Sequence, residues 1–373
     1  MLHCVFRAGL AEMRHMRGSW ESLHGGASLW GRYEWHLAVA SHLIDEGSVA
    51  YLQVMNGERT IAILPLLRTK VPLTPFGTVA AQTLGHHPLL SLTDFPMCPE
   101  ADAVAVAAAA WDALTTLPHA WRFMYWHRVP KSGNAMRLAS AWPKHQVFIR
   151  DAAPCNTLPT SQAYEDMQGL FSKNLKASLR KSEQRLNEAG PWAVSTQSVG
   201  DSNEIPARFD AFLTLEASGW KGAAGTGSAI ALNTDARDFF AALLACISGG
   251  FDPQIALLYL KEKPIAAQFS ILVNGTRHIL KIGYDEATSK YSPGQVLMAA
   301  VLKEACSSAV GCVSLVTNMP WHATWRPVGE PTCSVLVFRS RSTAFFYSIY
   351  LRLRRLLKQI HHAVRKAMPL KSV

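Results

Sequence analysis

Residues 281–297 read KIGYDEATSKYSPGQVL, and the second half of that stretch has the composition of an anion seat. Ser292 is a good helix N-cap, and Pro293 suits the first helical position, where no amide donor is needed. Gly294, Gln295 and Val296 would then present backbone N–H groups at the positive end of a helix, with Gly294 admitting close approach of a ligand. Such an arrangement holds a pyrophosphate. Ser-Pro-Gly is equally the ordinary way to start a helix, and the tripeptide alone does not separate the two uses. Ahead of it, Tyr284, Asp285, Lys290 and Tyr291 crowd a passage that a short glycine turn would bridge. An aspartate there is either an Asx-turn former or an acid facing a site.

The elements that must position these residues alternate in an α/β pattern. Apolar spacing predicts helices near 30–43, 101–117, 164–188, 204–217, 235–248, 293–308 and 344–368. β-Branched and apolar runs predict strands near 49–55, 60–67, 121–127, 255–260, 265–273, 277–284 and 313–317, with Asn274-Gly275 as a hairpin turn. The pattern also repeats. SVAYLQVMNGERTIAILPL from Ser48 aligns with QIALLYLKEKPIAAQFSIL from Gln254, and TDFP, a helix and WHRVP align with YDEA, a helix and VTNMP. Two copies of one α/β module are therefore expected, each a mixed sheet flanked by helices, at residues 1–150 and 151–338. Residues 152–159 would join them, and a basic helix would occupy 339–373.

The chain has 373 residues, 49% hydrophobic and 17% charged, enough for two well-packed modules. It contains no apolar run long enough to span a bilayer, and its first twenty residues lack the continuous apolar core of a signal peptide. Seven scattered cysteines without a Cys-x-x-Cys pair point to reduced thiols and a cytoplasmic location. The pairs His86-His87 and His361-His362 lack further ligands at suitable spacing, so no metal is expected. The net charge is +10, yet nine of the positive charges follow Phe338 and no Asp or Glu occurs from Arg339 onward. Within the chain, Lys173, Lys176, Arg180, Lys181 and Arg185 share a helical ridge, which is either a solvated face or a basic wall for a phosphate-bearing substrate.

The run LKIGYDEATSKYSPGQVLMAAVLKEA, with SGWKGAAGTGSAI from Ser218, the basic FSKNLKASLRKSEQRLNEAG and NGERTIAILPL, resembles the CelD-type (BcsL-like) acetyltransferases of bacterial polysaccharide biosynthesis. These belong to the GNAT superfamily and are similar to the FemAB-type aminoacyl transferases, which also carry two GNAT modules. The resemblance covers roughly residues 30–326. It implies acyl transfer from a coenzyme A thioester, most simply acetyl-CoA, to an amine or hydroxyl in a ternary complex. It places the donor pyrophosphate at Ser292, Gly294, Gln295 and Val296. It also sets Tyr284 and Asp285 at the reacting gap, Asp285 to orient or deprotonate the acceptor and Tyr291 to protonate the thiolate. Trp220, Lys221 and Arg180 become substrate-binding residues, under a glycine-rich loop at 222–227.

Trp321-His322-Ala323-Thr324-Trp325 stands where the family resemblance implies Tyr-Lys-x-x-Trp after Gly-Asp-Glu-Pro. Here that tetrapeptide is Thr317-Asn318-Met319-Pro320, so the acid has become Asn318 and the lysine His322. Trp321 and Trp325 are implied substrate contacts, and His322 is a candidate base because an imidazole titrates near neutrality. Residues 84–95 of the first module have no Ser-Pro-Gly, so that module is expected to lack a donor site and to build the acceptor cleft. Phe346, Ile349, Leu353, Leu356, Leu357, Ile360 and Val364 fall at helical spacing among arginines. That helix either lies on an anionic inner membrane or docks on the second module's sheet. The expected acceptor is a sugar or lipid-linked precursor of the cell envelope. Use of aminoacyl-tRNA is the alternative chemistry, and a binding subunit without catalysis is the third.

Overall fold

The computed structural model describes the chain except for residues 24–27, 73–77, 117–120, 202–203, 220, 247 and 368–373. Thirteen strands follow one another among the described residues: β1 (Leu2–Ala8), β2 (Ala50–Asn56), β3 (Arg59–Pro65), β4 (Leu67–Pro72), β5 (Thr78–Thr83), β6 (Phe123–Pro130), β7 (Val147–Pro159), β8 (Trp192–Ser198), β9 (Phe251–Leu260), β10 (Lys263–Val273), β11 (Thr276–Tyr284), β12 (Cys312–Ser314) and β13 (Val328–Phe338). β1, β2 and β3 form a small sheet. The other ten form one mixed sheet in the order β4-β5-β6-β13-β7-β12-β11-β10-β9-β8, flanked by helices.

The internal repeat has a structural counterpart. The hairpin β2–β3 corresponds to β9–β10, and two parallel strand–helix–strand units recur: β5, helix Ala103–Thr116, β6, and β11, helix Pro293–Cys306, β12. Parallel neighbours need such a crossover, because no tight turn can return the chain to the same edge. Asn274 and Gly275 take φ of 48° and 73°, the left-handed pair that a two-residue hairpin between β10 and β11 requires.

The halves are interlocked rather than strung together. β7, from the first half, pairs with β12 of the second, while β13, at the end of the second, inserts between β6 and β7. The segment expected to be a linker, 152–159, is thus strand, and the boundary drawn at residue 150 falls inside β7. Its proline misleads because Pro154 and Pro331 both sit where the β7–β13 register shifts, a place in a sheet that tolerates a missing donor. Facing helices close the other side. Helix Tyr33–His42 packs on helix Thr234–Ala245, with Trp35 edge-on to Phe239 at 5.5 Å. The buried pair Arg32–Glu34 reaches across to Ser248, and Arg32 donates to the Gly249 carbonyl at 3.0 Å.

The helix expected over 164–188 is two helices, Tyr164–Leu170 and Lys173–Ala189. They are separated by buried Phe171 and by Ser172, whose hydroxyl caps the second by accepting from the Leu175 amide at 3.1 Å. The terminal helix Arg341–Ala367 docks where the halves interlock, on β13 of the second half and its neighbour β6 of the first, with Ala344 and Tyr347 buried against Phe123, Leu336 and Phe338.

Candidate active site

Parallel β11 and β12 are paired only from Thr276 to His278. Two features drive them apart. In β11 the register with β10 slips between Phe269 and Ser270, leaving Leu280 as an extra residue, and such a bulge bends the strand. After β12 the chain turns away onto β7: Leu315 donates to the Asn156 carbonyl and Asn156 donates to that of Thr317. Val316, between them, has φ of 50°, a strained conformation for a β-branched residue. Arg128 holds the turn. Its guanidinium donates to the carbonyls of Val316 (3.2 Å), Ser91 (2.9 Å), Pro154 (3.1 Å) and Ala153 (3.3 Å), tying β6, β7 and the exit of β12 together.

Beyond His278, β11 exposes a backbone edge to this gap. Asp285 N–H bonds to Ile265 of β10, so by strand alternation the polar groups of Ile282 and Tyr284 face the other way. Their carbonyls are held from the loop that follows helix Ile205–Ala217: Lys221 donates to Ile282 at 3.2 Å and Ser218 to Tyr284 at 2.8 Å. Gly283 lets that helix come so close, since a Cβ there would lie 2.6 Å from both Cα and N of Glu216. Replacing Gly283 with Ala is expected to lower stability by about 1–3 kcal/mol in chemical denaturation. An unchanged midpoint would rule out this contact.

At the mouth of the gap, helix Pro293–Cys306 begins differently from expectation. Ser292 sits at φ 46°, ψ 50° and its side chain caps nothing. Its carbonyl instead collects the amides of Gln295 (2.9 Å) and Val296 (3.2 Å), and Pro293 has no amide to offer. Of the three amides expected to be free, only Gly294 N–H lacks a partner among the described residues. A Cβ on Gly294 would meet nothing nearer than the Tyr284 ring at 3.8 Å, so the approach is open. Tyr284 is exposed at the rim, and Tyr291 is half-buried beneath the Lys290 ammonium, 4.9 Å from its ring.

Asp285 serves as a cap. It accepts from the Ala287 amide at 3.0 Å and pairs with Lys263 at 3.0 Å, and the bond from Lys263 holds its carboxyl below the usual range. It is therefore ionised but committed, which suits orientation better than proton abstraction. His322 is not placed to act as a base. Its ring is 1% exposed, Nδ1 accepts from Asn156 Nδ2 at 3.1 Å and from Met319 N–H at 3.3 Å, and burial pushes it down to about 4. With Nδ1 occupied, the remaining nitrogen carries the proton, so no lone pair is left to act as a base. Trp325 is also buried, edge-on to Phe171 at 5.1 Å, and is core rather than a substrate contact. Trp321 stays exposed on the rim, against His322.

Helix Lys173–Ala189 lies across this region. Ser172, just before it, bonds to the Thr324 carbonyl at 3.1 Å, Ser178 donates to Gln295 Oε1 at 2.9 Å, and Arg185 donates to the Lys290 carbonyl at 2.7 Å. Arg180 and Lys181 remain exposed. On the opposite face, Lys221 pairs with buried Glu216 at 2.9 Å, and Glu216 also caps the Ile230 amide at 2.8 Å. Lys281 was not singled out by sequence reasoning, although its alternation with Gly283 puts it on this face. Burial, then the Lys221 charge, lowers its pKa. Burial, then the neighbouring His86, lowers the pKa of His87 in the first half, and Asp235 and Lys281 of the second half exert smaller, opposing effects on it. Trp220 lies outside the described residues. No group of His, Cys, Asp and Glu among the described residues is arranged to hold a metal.

Residues 173–322 match the family described as Acetyltransferase (GNAT) domain. No curated protein sequence matches the chain significantly. Among solved structures, FemX is similar with a TM-score of 0.58 at 10% identity, over 87% of this chain and 96% of that one. L-PGS from Bacillus licheniformis is similar with a TM-score of 0.52 at 12% identity, over 91% and 96%. At such identities the likeness is one of fold. The chain has the fold of GNAT acyltransferases, and the splayed β11–β12 gap with a helix start at its mouth lies within the matched region.

Proposed function

We propose that the protein transfers an acyl group, most simply acetyl, from a coenzyme A thioester to an amine or hydroxyl of a sugar or lipid-linked precursor of the cell envelope. The observation carrying this reading is the splayed gap with the unpartnered Gly294 amide at its mouth, where a pyrophosphate would meet the positive helix end. The open edge of β11 would hold the acyl carbonyl through its amides, stabilising the oxyanion as the acceptor attacks. The C–S bond breaks as the new C–N or C–O bond forms, and the acceptor's proton ends on the thiolate. Tyr284 and Tyr291 flank the helix start and are the candidate donors of that proton. The acceptor enters from the face of Lys221, Lys281 and His87. The first half's equivalent helix supports a purely structural role there, because Asp102 already caps its start by accepting from Val104 N–H at 2.9 Å, and a carboxylate repels phosphate.

Calorimetric titration with acetyl-CoA tests this reading. The wild-type protein is expected to bind. Gly294→Val should keep its melting temperature, since a Cβ there meets only the exposed Tyr284 ring at van der Waals distance, and should lose about 30- to 100-fold in affinity, as for a lost bond to a charged group. Absence of wild-type binding would sink the proposal. The exposed Lys173, Arg180 and Lys181 favour a second reading, transfer from an aminoacyl-tRNA. That donor would show binding that weakens steeply with salt, and no response to coenzyme A.

A further inference from the structure

Helix Arg341–Ala367 carries two ridges. One, through Ala344, Tyr347 and Leu351, seats on the sheet, where the Tyr347 hydroxyl accepts from Arg150 and its ring lies 5.3 Å from that guanidinium. The other lies nearly opposite on the helix and runs Phe346, Ile349, Leu353, Leu356 and Ile360 at three- and four-residue steps. These five side chains are 37–66% exposed, an unusual concentration of apolar surface for one helix. Midway along the helix a concavity of about 480 Å³ opens against β7, lined by Arg150, Arg354 and Arg355 together with Phe148, Ile149 and Leu351. Among the described residues no acidic side chain lines it. Asp151, next to Arg150, is already paired with Lys131 at 2.8 Å.

We infer that this face docks on an anionic phospholipid leaflet. The apolar ridge enters the acyl boundary, and the arginine cavity, walled by apolar side chains, takes a lipid phosphate. Charge selects the occupant: residues 339–373 hold nine positive charges and no negative one, so an identical copy would be repelled while an anionic surface is attracted. The sheet-facing ridge is already filled, so the exposed ridge is not needed for the fold. No described helix is long and apolar enough to cross a bilayer, so the helix lies in the surface. This docking is independent of what the active site transfers.

Co-sedimentation of the full chain with vesicles tests it. The protein should bind vesicles of phosphatidylcholine containing about one-third phosphatidylglycerol, and not phosphatidylcholine alone. Reversing two charges in Arg354→Glu/Arg355→Glu should lower partition by about 100-fold or more, at about fivefold per charge. Leu353→Gln/Leu356→Gln should lower it as well. All four side chains are exposed, so both variants should melt as the wild type does, and inorganic phosphate should not release the bound protein. Equal binding to both vesicles, binding that survives the arginine reversal, or release by phosphate would overturn the inference. So would a wild-type dimer that Leu353→Gln/Leu356→Gln dissociates in the absence of any vesicle binding.

Discussion

Arg128→Met is expected to remove about 4–6 kcal/mol of stability. The guanidinium is almost fully buried and serves four carbonyls on three segments. Each carbonyl left dry costs about 1–3 kcal/mol, and partial rehydration trims the sum. Against a typical total of about 5–15 kcal/mol, the variant should be barely folded. Arg128→Lys should recover less than half, because a single ammonium cannot span the fork that the guanidinium fills. Val316 is one of the four, and its left-handed backbone is what turns the chain away from β11. A variant that remains folded should therefore also lose acetyl-CoA affinity, although Arg128 itself stands behind the gap. Chemical denaturation decides the first point. A loss under about 1 kcal/mol would mean that the turn holds itself.

That residue marks the limit of what sequence could tell. The hairpin at Asn274-Gly275, the helix after Ser-Pro-Gly and the repeat of two strand–helix–strand units are local signals, written in turn chemistry and spacing, and they were legible. The clamp on Val316 joins residues 188 positions apart, and nothing near Arg128 announces it. The exchange of β7 and β13 between halves is equally non-local, and its prolines disguised a central strand as a linker. At the helix start the three residue types were read correctly while their geometry was not. Whether Ser292 caps with its side chain or with its carbonyl depends on a left-handed turn set by the preceding short helix, Glu286–Tyr291. His322 was misjudged for the same reason: a histidine's usefulness as a base rests on what occupies its nitrogens, and Asn156 comes from β7, 166 residues away.

Four histidines should make the fold acid-labile. Burial lowers His36, His127, His278 and His322 to about 4, whereas an unfolded chain restores each to about 6.5. Between those values the unfolded state binds more protons, so stability rises with pH. The contribution is complete above pH 6.5 and is lost as pH falls toward 4. Each fully buried histidine removes up to about 1.4 kcal/mol per pH unit, and His127, only half-buried, removes less. Asp94 works in the opposite sense. Burial raises it to about 6 even though it caps Asn134 and Ala135, so its contribution is fully present below about pH 4 and is lost as pH rises through 6. One aspartate offsets about one histidine, leaving a net loss on acidification of about 3 kcal/mol per unit. The melting temperature should therefore fall steeply between pH 6 and 5, with calorimetric proton uptake on unfolding. His278 is the clearest single contributor: it sits at the base of the gap against Trp30, its ring Nδ1 has no partner, and β11 leaves β12 just beyond it. His278→Phe keeps the aromatic contact and removes the charge, so the slope of melting temperature against pH should flatten by up to about half. If the variant and the wild type keep the same slope, protonation of His278 is not what opens the fold.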